Sequence, residues 1–100
     1  MRKIVLLCNA GMSTSMLMKK MKGYAEQSNY DCEIQAYALA EAQNVGQTAD
    51  IVLLGPQVRY ALNTVKTQLP GQIIEVIDMA AYGMLDGKKV IEQVKNALGD

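Results

Sequence analysis

Two short stretches without a single polar residue, positions 4–7 (Ile-Val-Leu-Leu) and 51–54 (Ile-Val-Leu-Leu), constrain the fold of this chain more than any other feature. A strand that is apolar at every position has to be covered on both faces, which is the situation of a parallel sheet with helices packed on either side. What lies between such stretches has helical periodicity. Residues 13 to about 28 set Leu17, Met21, Tyr24, Ala25 and Ser28 at helical spacing and leave Lys19, Lys20 and Lys22 for water. Residues 33–37 alternate polar and apolar and read as an edge strand, and 39–45 read as a short helix with Gly46 placed to end it. Gly55-Pro56 stops the strand at 51–54. Pro56 then opens a helix striped by Val58, Ala61, Leu62, Val65 and Leu69, which ends at Pro70-Gly71. Residues 73–77 form the fourth strand and 78–85 a loop. Asp86 caps a last helix with Val90, Ile91, Val94, Ala97 and Leu98 inward.

Strands and helices alternating at this spacing predict an α/β fold: a four-stranded parallel sheet in the order 2-1-3-4, flavodoxin-like, with helices on both faces and right-handed crossovers. One hundred residues suit a single domain spanning 1–100. In such a sheet the ligand site lies beyond the carboxyl ends of the central strands. The first strand is central and ends at Leu7, so function is expected from Cys8 onward.

Composition narrows the chemistry. Ten basic and ten acidic residues cancel, so no nucleic-acid-binding face is advertised. No apolar stretch approaches the roughly 20 residues of a membrane span, and the one behind Arg2-Lys3 is too short for a signal peptide. The expected location is cytoplasmic. The chain has no histidine, which removes His-activated serine and cysteine nucleophiles and nearly every catalytic zinc site. Cys8 and Cys32 have no metal-binding or C-x-x-C spacing.

The segment Cys8-Asn9-Ala10-Gly11-Met12-Ser13-Thr14-Ser15 therefore carries the interest. Gly11 allows the loop to curl and aim successive N–H groups inward as an anion-binding nest. The helix that follows points its free N–H groups and partial positive charge into the same space. Ser13, Thr14 and Ser15 offer hydroxyl donors or a helix cap. Such a pocket stabilises a thiolate and would hold a phosphoryl group on its sulfur, giving nucleophilic catalysis without histidine. A cysteine at a strand end also serves as a small buried hydrophobe. From the residues alone both readings stand.

Cys8-Asn9-Ala10-Gly11-Met12-Ser13-Thr14-Ser15 after an apolar strand resembles the phosphorylation loop of lactose/cellobiose-type enzyme IIB proteins of the bacterial sugar phosphotransferase system. Val52-Leu53-Leu54-Gly55-Pro56-Gln57, Val76-Ile77-Asp78 and Tyr82-Gly83 resemble that family's later segments, so the likeness covers essentially the whole chain. The resemblance implies a phosphocysteine at Cys8, loaded from a phosphohistidine of enzyme IIA and passed to a sugar held in the membrane enzyme IIC. It implies residues 9–15 as the phosphate loop, transient association with the membrane through IIC, and neither a metal nor an organic cofactor. The sugar itself is held by IIC and is not written in this subunit.

Three rivals were weighed. A low-molecular-weight tyrosine phosphatase needs an arginine six residues after its cysteine, where this chain has Thr14; its only arginines are Arg2 and Arg59, and no aspartate stands in an Asp-Pro context to act as general acid. A receiver module needs aspartates where Cys8 and Gly55 stand. A redox pair within the chain fails because parallel strands would hold Cys8 and Cys32 roughly 16 Å apart, which leaves only a partner on another molecule. Outside the loop, Met12, Met79, Tyr82 and Met84 are candidates for a partner-docking surface, and Gln57 for an amide near the phosphate. Packing under the loop and helix capping are the plainer roles for Tyr82 and Gln57.

Overall fold

The computed structural model describes residues 1–9 and 12–100, with the side chains of Met12 and Ser13 outside that description. Four parallel strands, β1 (Arg2–Cys8), β2 (Cys32–Ala38), β3 (Ile51–Leu54) and β4 (Ile74–Val76), form a sheet in the order β2-β1-β3-β4. The expected architecture is the observed one, with β2 at an edge. Register explains why the two apolar stretches are continuous. Ile4 and Leu6 pair with Ile51 and Leu53. Their side chains join one core with Leu17, Met21, Val90 and Ile91, whereas Val5, Leu7, Val52 and Leu54 point to the other face, toward Val58, Val65 and Leu69. Every one of the eight strand residues is 0–1% exposed, so no position in either stretch could be polar.

The first face is covered by α1 (Met12–Gln27) and α5 (Gly87–Leu98), the second by α2 (Ala42–Val45) and α3 (Leu62–Gln68). Lys19, Lys20 and Lys22 are exposed, as their spacing predicts. Ser28 is not part of the buried stripe. It lies just past α1, exposed, and its hydroxyl donates to the Tyr24 carbonyl at 2.9 Å. Residue Asp86 accepts from the Lys89 N–H at 3.1 Å, which is the cap its position predicts for α5.

Three expectations are corrected. The segment 39–45 is a 3-10 turn (Leu39–Glu41) followed by α2, and Gly46 ends it with ordinary right-handed angles. Glycine is required there by close approach, because a Cβ would stand 2.4 Å from Leu69 Cδ1 and 2.9 Å from the Ala42 carbonyl oxygen. The helix opened by Pro56 begins as a 3-10 stretch (Pro56–Ala61), because the fully buried Val58 departs from helical angles, and becomes α-helical only in α3. Residues 78–85 are not a plain loop. Asp78 accepts from the Ala81 N–H at 3.0 Å and caps a five-residue helix, α4 (Met79–Gly83), whose Ala81 and Tyr82 are buried. A helix this short has too few residues to show a period.

At the amino end of the sheet, a side-chain clamp ties β1 to Asp100, two residues past α5. Arg2 donates twice to the Asp100 carboxylate, both at 2.8 Å, and the Tyr30 hydroxyl donates to it at 2.7 Å. The Arg2 guanidinium, then the Tyr30 hydroxyl, lower the Asp100 carboxyl from its ordinary 3.8 to about 2. A carboxyl depressed in the folded state stabilises above its unfolded pKa, and that contribution disappears as pH falls from about 4 to about 2. Melting curves of wild type and Asp100→Asn should therefore differ by a constant amount above pH ~5 and converge as pH approaches 2.

Candidate phosphoryl-transfer site

The β1 strand runs one residue further than its apolar stretch predicts, because β2 continues to Ala38 and pairs with Cys8. Cys8 is thus held by the ladder at the carboxyl end of a central strand, with 7% of its surface exposed. The neighbouring strand contributes Gly55, whose N–H donates to the Leu7 carbonyl at 3.0 Å. A Cβ on Gly55 would stand 2.8 Å from Gln57 Oε1 and 3.7 Å from Cys8 Cβ. The absence of that carbon leaves a space bordered by both side chains. Sequence reading took Gly55 only as a strand stop; its part in the site depends on the β1–β3 register, which no local pattern carries.

Among the loop residues, Asn9 and Ser15 are exposed and Thr14 is buried at 1%. Ala10 and Gly11, and the side chains of Met12 and Ser13, lie outside the described residues, and with them the nest expected of Gly11 and the docking role expected of Met12. Thr14 Oγ1 lies 3.0 Å from the Tyr82 hydroxyl, which is itself buried at 8%. Tyr82 therefore reaches from α4 to Thr14 in the first turn of α1, a packing role of the plainer kind.

Gln57 and Tyr82 also line one groove, together with Arg59, Tyr60, Met79 and Gly83. Its rim carries apolar surface that a monomer would ordinarily hide: Tyr60 is 72% and Met79 58% exposed, and Met84 beyond them 78%. Arg59 and Tyr60 had no signal of their own in the sequence. They lie between Val58 and Ala61, which are buried, and so face outward. Cys32 stands apart. It pairs with Arg2 at the start of β1, six strand residues and roughly 20 Å from Cys8, and burial followed by the Asp31 charge pushes its thiol up.

The chain as a whole has relatives of known kind. Residues 3–93 match the family described as PTS system, Lactose/Cellobiose specific IIB subunit. The chain belongs to the lactose/cellobiose IIB family. It is 45% identical over 95 residues to the oligo-beta-mannoside-specific EIIB component of Bacillus subtilis, covering 93% of this chain and 92% of that one. It is 38% identical over 102 residues to the galactose-specific EIIB component of Lactococcus lactis, covering 95% and 94%. The solution structure of the cellobiose-specific IIB component from Borrelia burgdorferi superposes with a TM-score of 0.82 at 36% identity, covering 98% of this chain and 92% of that one. This IIB protein is a phosphotransferase-system component, a phosphoryl-transferring subunit of sugar uptake. Among its described residues no helix is long and apolar enough to cross a membrane.

Proposed function

We propose that residues 1–100 act as one cytoplasmic IIB unit in which Cys8 carries the phosphoryl group between enzyme IIA and a β-linked disaccharide or related sugar held in membrane enzyme IIC. The observation that carries this reading is the position of Cys8: paired with Ala38 of β2 directly after the last β3-paired residue, Leu7, nearly buried, and placed where a central strand hands over to the first turn of α1. Cys8 Sγ attacks phosphorus in line, the N–P bond of the IIA phosphohistidine breaks, and its electron pair returns to the imidazole nitrogen. In the second step a sugar hydroxyl oxygen attacks, the S–P bond breaks with its electron pair on sulfur, and the hydroxyl proton leaves to solvent or to IIC. The free N–H groups of residues 9–15 hold the equatorial oxygens as charge develops. Gln57 borders the same space with its Oε1, and turning its side-chain amide over would present the Nε2 donor there. A tyrosine phosphatase would need a loop arginine that positions 9–15 lack, and a carrier benefits from that lack, since its phosphate must leave again.

The test is intact-mass spectrometry after incubation with phosphoenolpyruvate, enzyme I, HPr and a cognate-type IIA. A phosphate-sized, acid-sensitive gain located at Cys8 supports the reading; a gain elsewhere, or none from phosphorylated IIA, sinks it. Both partners must approach the same end of the sheet, and the groove with Tyr60, Met79 and Arg59 is the surface we assign to them. Tyr60→Ala should raise the KM for phospho-IIA about tenfold and leave kcat unchanged, since an exposed aromatic anchor contributes to docking and not to the transfer.

A further inference from the structure

We propose that the Tyr82–Thr14 hydroxyl pair is the device that sets the first turn of α1 against Cys8, making Tyr82 a positioning residue for phosphoryl transfer. The proposal rests on the reading of Cys8 as the carrier. Thr14 is 1% exposed and Tyr82 8%, and their oxygens lie 3.0 Å apart, with either able to donate. Packing alone does not need this bond. Valine at 14 and phenylalanine at 82 would fill the same volumes, and replacing both partners of a buried pair by apolar isosteres is often nearly neutral. A hydrogen bond differs from apolar contact in being directional, so it fixes the rotation and depth of the turn that carries Thr14.

The turn matters because it holds the unpaired N–H groups at the start of α1, the groups that must meet a thiolate and then a phosphoryl group. Met12, the first residue of α1, follows Cys8 by four positions, so a small shift of the turn moves every donor relative to sulfur. On the other side of the pair, Tyr82 sits in α4, which the Asp78 cap fastens to the end of β4. The bond therefore links the first turn of the helix after the first strand to the helix after the last. Both ends are anchored in the sheet, which is what a positioning contact requires. Tyr82 packs against the first turn of α1 and makes its contribution through Thr14.

The experiment compares wild type with Tyr82→Phe, Thr14→Val, Thr14→Ser and the double variant, all as the full chain. Two quantities are read: single-turnover loading from saturating phospho-IIA, and peptide-resolved iodoacetamide alkylation of Cys8 across pH. Tyr82→Phe and Thr14→Val should each slow loading about tenfold at saturation. Each should also lower the ratio of Cys8 alkylation at pH 7 to that at pH 10 several-fold, with Cys32 unaffected. Thr14→Ser, which keeps the hydroxyl, should behave as wild type, and the double variant should be no worse than either single one. Variants that melt earlier but load and alkylate as wild type would overturn the proposal, as would loss in one partner without the other. Alkylation does not depend on transfer, so the two readings separate. A moved profile in a protein that never loads rejects the carrier and keeps the positioning; normal loading with an unmoved profile rejects the positioning alone.

Discussion

Cys8→Ser abolishes phosphate uptake from phospho-IIA, whereas Cys32→Ser loads normally; this is the expected result of the mass measurement on the two variants. A serine hydroxyl at the end of β1 is un-ionised near neutral pH, and no histidine exists anywhere in the chain to take its proton. Removing a nucleophile in other enzymes costs on the order of 10⁶ in rate, so the remaining signal should fall below detection. Misfolding would not explain such a loss. The substitution places a hydroxyl at a site 7% exposed, a change of about 1–3 kcal/mol at most, and the protein should still melt cooperatively. Cys32 is the matched control. It is half-buried, at the far end of the neighbouring strand, and its raised thiol makes it the poorer nucleophile of an isolated pair.

The second large effect is on stability and lies at the start of α5. Gly87→Ala should destabilise by about 3 kcal/mol, lowering Tm by roughly 12–24 °C. A Cβ there would stand 2.4 Å from the Lys20 carbonyl carbon, 2.5 Å from the Met21 N and 2.7 Å from the Lys20 carbonyl oxygen. These are backbone atoms of α1, which cannot rotate aside, so the two helices would have to part. Their separation would open the core where Met21, Val90 and Ile91 meet. The same substitution at Gly23 has the opposite sign. Nothing lies within 4 Å of a Cβ at that position in α1, and alanine there should stabilise by about 0.5–1 kcal/mol through helix propensity and a less flexible unfolded chain. Thermal denaturation of the two variants side by side tests the argument. A Gly87→Ala protein that melts within a few degrees of wild type would show that α1 and α5 are free to move apart.

The architecture was legible because its signals are local. Two stretches apolar at every position can only be strands covered on both faces, and the stripes on α1, α3 and α5 state which side of each helix turns inward. The chemistry of the first loop was legible for a related reason: with no histidine in the chain, a cysteine beside a glycine and three hydroxyls leaves few mechanisms open. Tertiary structure decided what depends on distant segments meeting. Parallel register puts Gly55 and Gln57 beside Cys8, and makes Cys8 the last residue of β1. The Asp78 cap turns a presumed loop into α4 and aims Tyr82 at Thr14, 68 positions away. Gly46 and Gly87 look alike in sequence to any other glycine near a helix end. Their necessity comes from a side chain and a helix backbone that approach from elsewhere in the chain, and steric exclusion of that kind leaves no periodicity to read.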